Sequence, residues 1–282
     1  MSRPYPAKIL LFGEHTVLRG GRGLAVPYPD RALRWIEGSP DERLCAFARY
    51  LRQPDFAAYL ATDRLMEEVF AGRRLTGNIP TGYGLGSSGA VCAAVFDAFA
   101  RPEAKQLPLR ELRAFLAAME GHFHGQSSGT DPLIAYLRRP LLLSAGGAAG
   151  AVELPESWAH GFFLLDTGRS RSASGYIERF LRAYDDTEGA SIEQGWSLPA
   201  DRAISALIAD EPDALYAAFA AISSFQLTRF PDFIPEDFRT TWDGGGEYRL
   251  KLCGAGGGGM LLGLARNRQA VESVYGKRLS WL

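Results

Sequence analysis

Short apolar runs closed by glycine alternate along this chain with longer stretches of helical period. The run Lys8-Ile9-Leu10-Leu11-Phe12, bounded by Gly13, predicts a buried strand. Leu24, Ala25 and Val26 follow after Arg19-Gly20-Gly21-Arg22-Gly23, so the two runs predict a hairpin. Residues 40–72 are amphipathic at helical spacing through Leu44, Phe47 and Leu51, then Leu65, Val69 and Phe70. Leu109, Leu112, Leu116 and Met119 predict a further helix, opened by Pro108 and ending near Glu120. The polar stretch 121–132 then predicts a loop in apolar surroundings, where functional side chains tend to be held. Strands are expected at 140–144 and 161–166, and a helix opens after Arg169 and runs through Ile177 and Phe180. Residues 202–226 predict a long helical stretch broken near Glu211-Pro212. Two apolar strands, 248–253 and 260–264, clamp the glycines of 254–259. A flexible linker would separate polar segments, so this loop is expected to pack tightly under a second backbone.

One stretch does not fit a packing role. Pro80-Thr81-Gly82-Tyr83-Gly84-Leu85-Gly86-Ser87-Ser88-Gly89-Ala90 is too rich in glycine to build a core, because glycine has no side chain to bury and loses the most backbone entropy on folding. The small apolar residues from Ala90 to Phe99 predict a buried helix whose N-terminus is the Ser87-Ser88 pair. A glycine loop leading into a helix N-terminus offers unpaired N–H groups and the positive end of the helix dipole, which suits an anion and above all a phosphate. The loop is neither a Walker A sequence nor a dinucleotide-binding fingerprint.

The 282 residues suffice for one large domain or two smaller ones, with 46% hydrophobic and 22% charged residues. A net charge of −1 leaves no global field to recruit nucleic acid or an anionic membrane. Cys45, Cys92 and Cys253 lack metal-ligand spacing and are odd in number, and Cys92 and Cys253 have apolar neighbours that suit core positions. With no signal-peptide pattern and no long apolar run, the expected location is the cytoplasm. Arg169, Ser170, Arg171, Ser172 and Ser174 form a local basic, hydroxyl-rich cluster that suits either an anionic ligand or a solvated helix start.

Pro6 to His15, Pro80 to Ala90 and Lys251 to Gly259 together resemble, in order, the three motifs of the GHMP kinase superfamily, the galactose, homoserine, mevalonate and phosphomevalonate kinases. The segment from Glu120 through His124-Gly125-Gln126-Ser127-Ser128-Gly129-Thr130-Asp131 is most similar to that of the mevalonate kinases, and Lys8 favours the same branch. Ala7, Gly89, Ser127, Pro132 and Ala173 depart from the family pattern.

The resemblance implies an α+β GHMP kinase fold: a ribosomal protein S5 domain 2-like N-terminal domain over residues 1–155 and a C-terminal α/β-sandwich domain over 156–282, with the active site between them. It implies ATP-dependent phosphoryl transfer to the hydroxyl of a small acid, first of all mevalonate. The alternatives are phosphomevalonate, a sugar, or a catalytically silent ligand-binding relative. Gly82, Gly84, Leu85, Gly86, Ser87, Ser88 and Gly89 would cradle the ATP phosphates, and Ser88 with Glu120 would hold Mg²⁺. Asp131 would accept the hydroxyl proton, with Lys8 beside it keeping the carboxylate ionised and covering charge on the transferred phosphate. Glu14, His15, Arg171, Gly256 and Gly257 would face the acceptor. A monomer or homodimer acting on small molecules is expected, with no nucleic acid or membrane partner.

Overall fold

The computed structural model describes residues 3–144, 148–170 and 174–282. It divides into two compact units, one built from Met1–Lys8, Val26–Pro80 and Leu85–Arg139 and the other from Ile9–Ala25, Thr81–Gly84 and Pro140–Leu282. Strands β1 (Tyr5–Phe12) and β2 (Gly23–Glu37) contribute residues to both. Among the described residues, no helix is long and apolar enough to cross a membrane.

In the first unit, β2 pairs antiparallel with β3 (Arg73–Gly77) in the register Leu33 to Gly77 through Glu37 to Arg73. Helices α1 (Glu42–Tyr50), α2 (Pro54–Ala57) and α3 (Thr62–Phe70) fill residues 40–72 as the periodicity predicts. Asp41 caps α1 by accepting from the Leu44 amide, which satisfies one of the donors that a helix start leaves unpaired. The centre of this unit is α4 (Ser87–Phe99), whose Ala90, Cys92, Ala93, Ala94, Val95, Phe96 and Phe99 are buried. A helix this apolar must be covered over most of its surface. Its cover includes α5 (Leu109–His124), through Leu112, Leu116 and Met119, and α6 (Thr130–Leu137), through Leu133, Ile134 and Ala135.

In the second unit, Gly23, Leu24 and Ala25 of β2 pair antiparallel with β4 (Leu141–Ser144), and β4 pairs with β5 (Ala148–Ala151). A separate four-stranded sheet has the order β7 (Tyr248–Leu252), β8 (Met260–Ala265), β6 (Phe162–Asp166) and β9 (Leu279–Trp281), with every pair antiparallel. Nearly every residue of β6, β7 and β8 is buried, Lys251 of β7 included, so this sheet is covered on both faces. Helices α7 (Ser174–Ala183), α8 (Gly189–Ile192), α9 (Leu198–Ile208), α10 (Pro212–Arg229), α11 (Glu236–Arg239) and α12 (Arg268–Tyr275) complete the unit. The break before Pro212 lies where proline predicts it, and π-helical turns flank α8.

Mixed helix and sheet bear out the expected α+β class. The correction to the sequence reading is in α5, which continues through His124 and not only to Glu120, so more than half of the supposed 121–132 loop is helix or helix start.

Candidate active site

The loop before α4 has Gly82, Gly84 and Gly86 at φ +81°, +73° and +73°, the left-handed region that only glycine enters without strain. Gly82 and Gly84 belong to the second unit, and residues from Leu85 onward belong to the first. Gly86 is the N-cap of α4, and among the described residues no side chain caps the helix start. The first-turn amides of Ser87, Ser88 and Gly89 therefore lack a side-chain acceptor and meet the positive end of a thirteen-residue helix. Leu85 buries its side chain to 1% exposure, and its carbonyl accepts from the Lys8 amide at 3.0 Å. Thus the first motif is fastened to the second by main chain within the first unit.

Lys8 and Asp131 meet beside this helix start. The ammonium lies 3.2 Å from Asp131 Oδ1, with the two side chains 12% and 30% exposed, so the pair is sheltered yet open on one side. A Cβ at Gly86 would stand 3.1 Å from both Asp131 Oδ2 and Lys8 Cγ, which places the loop backbone directly against the pair. Gly89 is more constrained: a Cβ there would fall 2.7 Å from the Asp131 carbonyl carbon and the Pro132 nitrogen. Two departures from the family pattern, Gly89 and Pro132, therefore lie against each other where α4 packs on the first turn of α6. The backbone that carries Asp131 is held by this close approach.

One helical turn of α5 supplies the next group. Ser88 Oγ donates to Glu120 Oε1 at 2.7 Å, and Ser127 Oγ donates to Glu120 Oε2. His124 Nε2 lies 3.0 Å from the same Ser88 hydroxyl. Glu120 and His124 are four residues apart, so the extra turn of α5 puts both on one face. Burial pushes the Glu120 carboxyl up to about 7, the charge of Asp131 adds to the rise, and Ser127, Ser88 and Lys8 oppose it. Ser127, which replaces a proline of the family pattern, also accepts from the Gly129 amide at 2.9 Å. Arg113 fixes the following residues, donating from Nε to the Ser128 carbonyl at 2.8 Å and from its terminal nitrogen to Thr130 Oγ1 at 3.1 Å. The sequence reading quoted His124 within the Glu120 to Asp131 segment but gave it no role, and it missed Arg113. Helical spacing from Glu120 would have found the first once the length of α5 was known, whereas no local signal marks the second.

Among the described residues, no group of three or more His, Cys, Asp or Glu side chains is placed to hold a metal ion. The Ser88 hydroxyl and Glu120 carboxylate are hard oxygen donors. That set fits Mg²⁺, which typically takes one or two carboxylates from the protein and the rest from phosphates and water.

Glu14, His15, Gly256 and Gly257, which the resemblance assigns to the acceptor, lie in the second unit and are more enclosed than the sequence implies. Glu14 is 1% and His15 5% exposed, with His15 at φ +64°. The His15 ring stacks on Phe180 at 4.9 Å and is flanked by Trp196 and Phe233. Burial raises the Glu14 carboxyl, and the Lys251 ammonium opposes the rise. Gly256 and Gly257 pack against Phe233 and the Tyr176 ring, and the Gly257 amide donates to the Phe233 carbonyl at 2.7 Å. Gly259 abuts the Tyr83 carbonyl, so the third glycine loop does pack under a second backbone, as expected. Arg169 pairs with Asp237 at 3.1 Å, and Arg171 and Ser172 lie outside the described residues.

Residues 56–139 match the model of the GHMP kinases N terminal domain. The chain is 26% identical over 210 residues to the mevalonate kinase of Thermococcus sibiricus, a match that covers 64% of this chain and 61% of the relative. The chain thus spans about six-tenths of that relative's length. Among solved structures, L. major mevalonate kinase in complex with R-mevalonate superposes with a TM-score of 0.67 at 17% identity, covering 97% of this chain and 93% of that one. Streptococcus pneumoniae phosphomevalonate kinase, in complex with phosphomevalonate and AMPPNP, gives 0.71 at 14% identity, covering 100% and 98%. The chain has the GHMP kinase fold and carries that family's N-terminal domain within it.

Proposed function

We propose that the protein is an ATP-dependent small-molecule kinase that transfers a phosphoryl group to the hydroxyl of a small acid, with mevalonate the first candidate. The observation that carries this is the Lys8–Asp131 pair set against Gly86 at an uncapped helix N-terminus. Phosphoryl transfer needs cover for phosphate oxygens and a group that takes or orients the hydroxyl proton. The main chain of residues 82–89 and the α4 dipole supply the first, and Asp131 supplies the second. Lys8 balances the carboxylate and would cover charge on the transferred group. Ser88 and Glu120 would hold Mg²⁺, which neutralises charge on the β- and γ-phosphates when bound. The turn at Glu14 and His15, with Gly256 and Gly257, is assigned to the acceptor side. Similarity to relatives named mevalonate kinase is what puts mevalonate first among the acceptors.

The test is ADP release by the purified chain with Mg²⁺-ATP over mevalonate, phosphomevalonate, homoserine and galactose. Turnover highest with mevalonate is the expected result. A preference for phosphomevalonate or galactose would reassign the acceptor, and no turnover with any of them would overturn the kinase reading.

A further inference from the structure

Lys251 and Glu14, in the second unit, have side chains 0% and 1% exposed and lie 2.8 Å apart, Nζ to Oε1. Gln226, also fully buried, donates from Nε2 to Glu14 Oε1 at 2.9 Å and accepts the Leu252 amide on its own Oε1 at 2.9 Å. Lys251 Nζ donates to the Leu252 carbonyl at 2.7 Å. One residue beyond Glu14, His15 Nε2 lies 3.0 Å from the Ala255 carbonyl. These bonds join three separate parts of the chain: the turn after β1, the C-terminal half of α10 and the end of β7. The far end of the glycine loop is fastened separately, by the Thr167 hydroxyl and amide to the Gly259 carbonyl and by the Gly259 amide to the Arg169 carbonyl.

A buried ion pair is a poor source of stability, because desolvation of both charges offsets their attraction and an apolar pair of the same volume often does as well. What it supplies is direction. Gln226 can serve Glu14 and Leu252 together in one register of strand against turn, and a slip of one residue at β7 would strand Lys251 and Glu14 without partners. Among the described residues Glu14 Oε2 is buried with no hydrogen-bond partner, so the carboxylate leans on this one set of donors.

We propose that Glu14, Gln226 and Lys251 form a positioning device that sets the register of the glycine loop at 254–259 against the turn at 13–15. Lys251 and Gln226 act through the backbone they hold, at Leu252 and beyond, and are positioning residues. For its kinetic consequence the proposal rests on the kinase reading, since 256–257 and 14–15 are the acceptor-side segments of that reading.

Lys251→Met alone leaves a carboxylate buried without its cation, so the informative variants are the neutral pair Glu14→Gln/Lys251→Met and the single Gln226→Leu. The expected result by hydrogen–deuterium exchange is a folded protein in which the peptide over 254–259 exchanges about tenfold faster while peptides from β6 and α9 keep the parental rate. In steady-state assays the acceptor KM should rise about tenfold with the ATP KM unchanged, the pattern of lost acceptor positioning. Exchange at 254–259 that stays at the parental rate, or that accelerates equally throughout the chain, would overturn the proposal and leave the cluster as general core. If the parent itself shows no phosphoryl transfer, the kinase reading fails, and the exchange result still decides the positioning.

Discussion

Gly89 illustrates how much a single missing methyl can carry. A Cβ there meets main-chain atoms of Asp131 and Pro132 at 2.7 Å, and no side chain can rotate away to make room. Gly89→Ala should therefore push α6 off α4, lowering stability by about 1–3 kcal/mol as overpacking does, and lower kcat because Asp131 moves with its backbone. Thermal unfolding and turnover of the same preparation check this, and a variant with parental Tm and kcat would show that the helices yield freely. Glu120 gives a second prediction. Its carboxyl rises from an ordinary value of 4.5 to about 7 in the folded protein, so between these values the folded chain keeps a proton that the unfolded chain has released. Unfolding releases that proton, and stability falls as pH rises through the window. Buried Glu14 acts in the same direction. Without divalent cations, Glu120→Gln should lose Tm less steeply than the parent between pH 5 and pH 8, and parallel curves would contradict the buried, charge-crowded carboxyl.

At the scale of elements, the helices and most strands were legible because burial leaves its period in the sequence. The end of α5 was not. Gly121 and the histidines after it look like a helix stop, yet the helix runs on to its true cap, Gly125 at φ +74°. The added turn is held by packing: the Phe47 ring of α1 lies 5.3 Å from His122 and 4.9 Å from Phe123. Such tertiary support has no local signature. The same is true of β3, whose Arg73-Arg74-Leu75-Thr76-Gly77 is too polar to read as a strand but pairs with β2 while Arg73 covers the Trp35 ring at 4.8 Å. Arg113 belongs to this scale too, because it ties α5 to the start of α6 through Ser128 and Thr130. Arg113→Met should leave the ATP KM unchanged and lower kcat about tenfold as Asp131 loosens, with Arg113→Lys unable to restore both bonds. A fall in Tm with unchanged turnover per folded molecule would make Arg113 purely structural.

Across the whole molecule, the three motifs were visible because glycine patterns are local, whereas the grouping of the chain into units was not. Residues 9–25 and 81–84 cluster with 140–282 because Gly23, Leu24 and Ala25 pair with β4 and the Tyr83 backbone lies against Gly259, partners far along the sequence. Hydropathy does not mark such partners. Of the candidate site, the sequence supplied Lys8, Ser88, Glu120 and Asp131, and the structure brings these four together within the first unit. It did not supply the Glu14–Lys251–Gln226 cluster, because a lysine in an apolar strand gives no sign of its partner until the fold is known.

The central claim is that Asp131 takes the acceptor's proton during phosphoryl transfer, and Asp131→Asn tests it most directly because it keeps the shape of the side chain and removes the base. With Mg²⁺-ATP and mevalonate, the variant should lose about 10²–10⁴ in kcat while nucleotide and acceptor binding stay near parental, the mark of an interaction made in the transition state. Parental kcat in a folded Asp131→Asn variant would contradict the account.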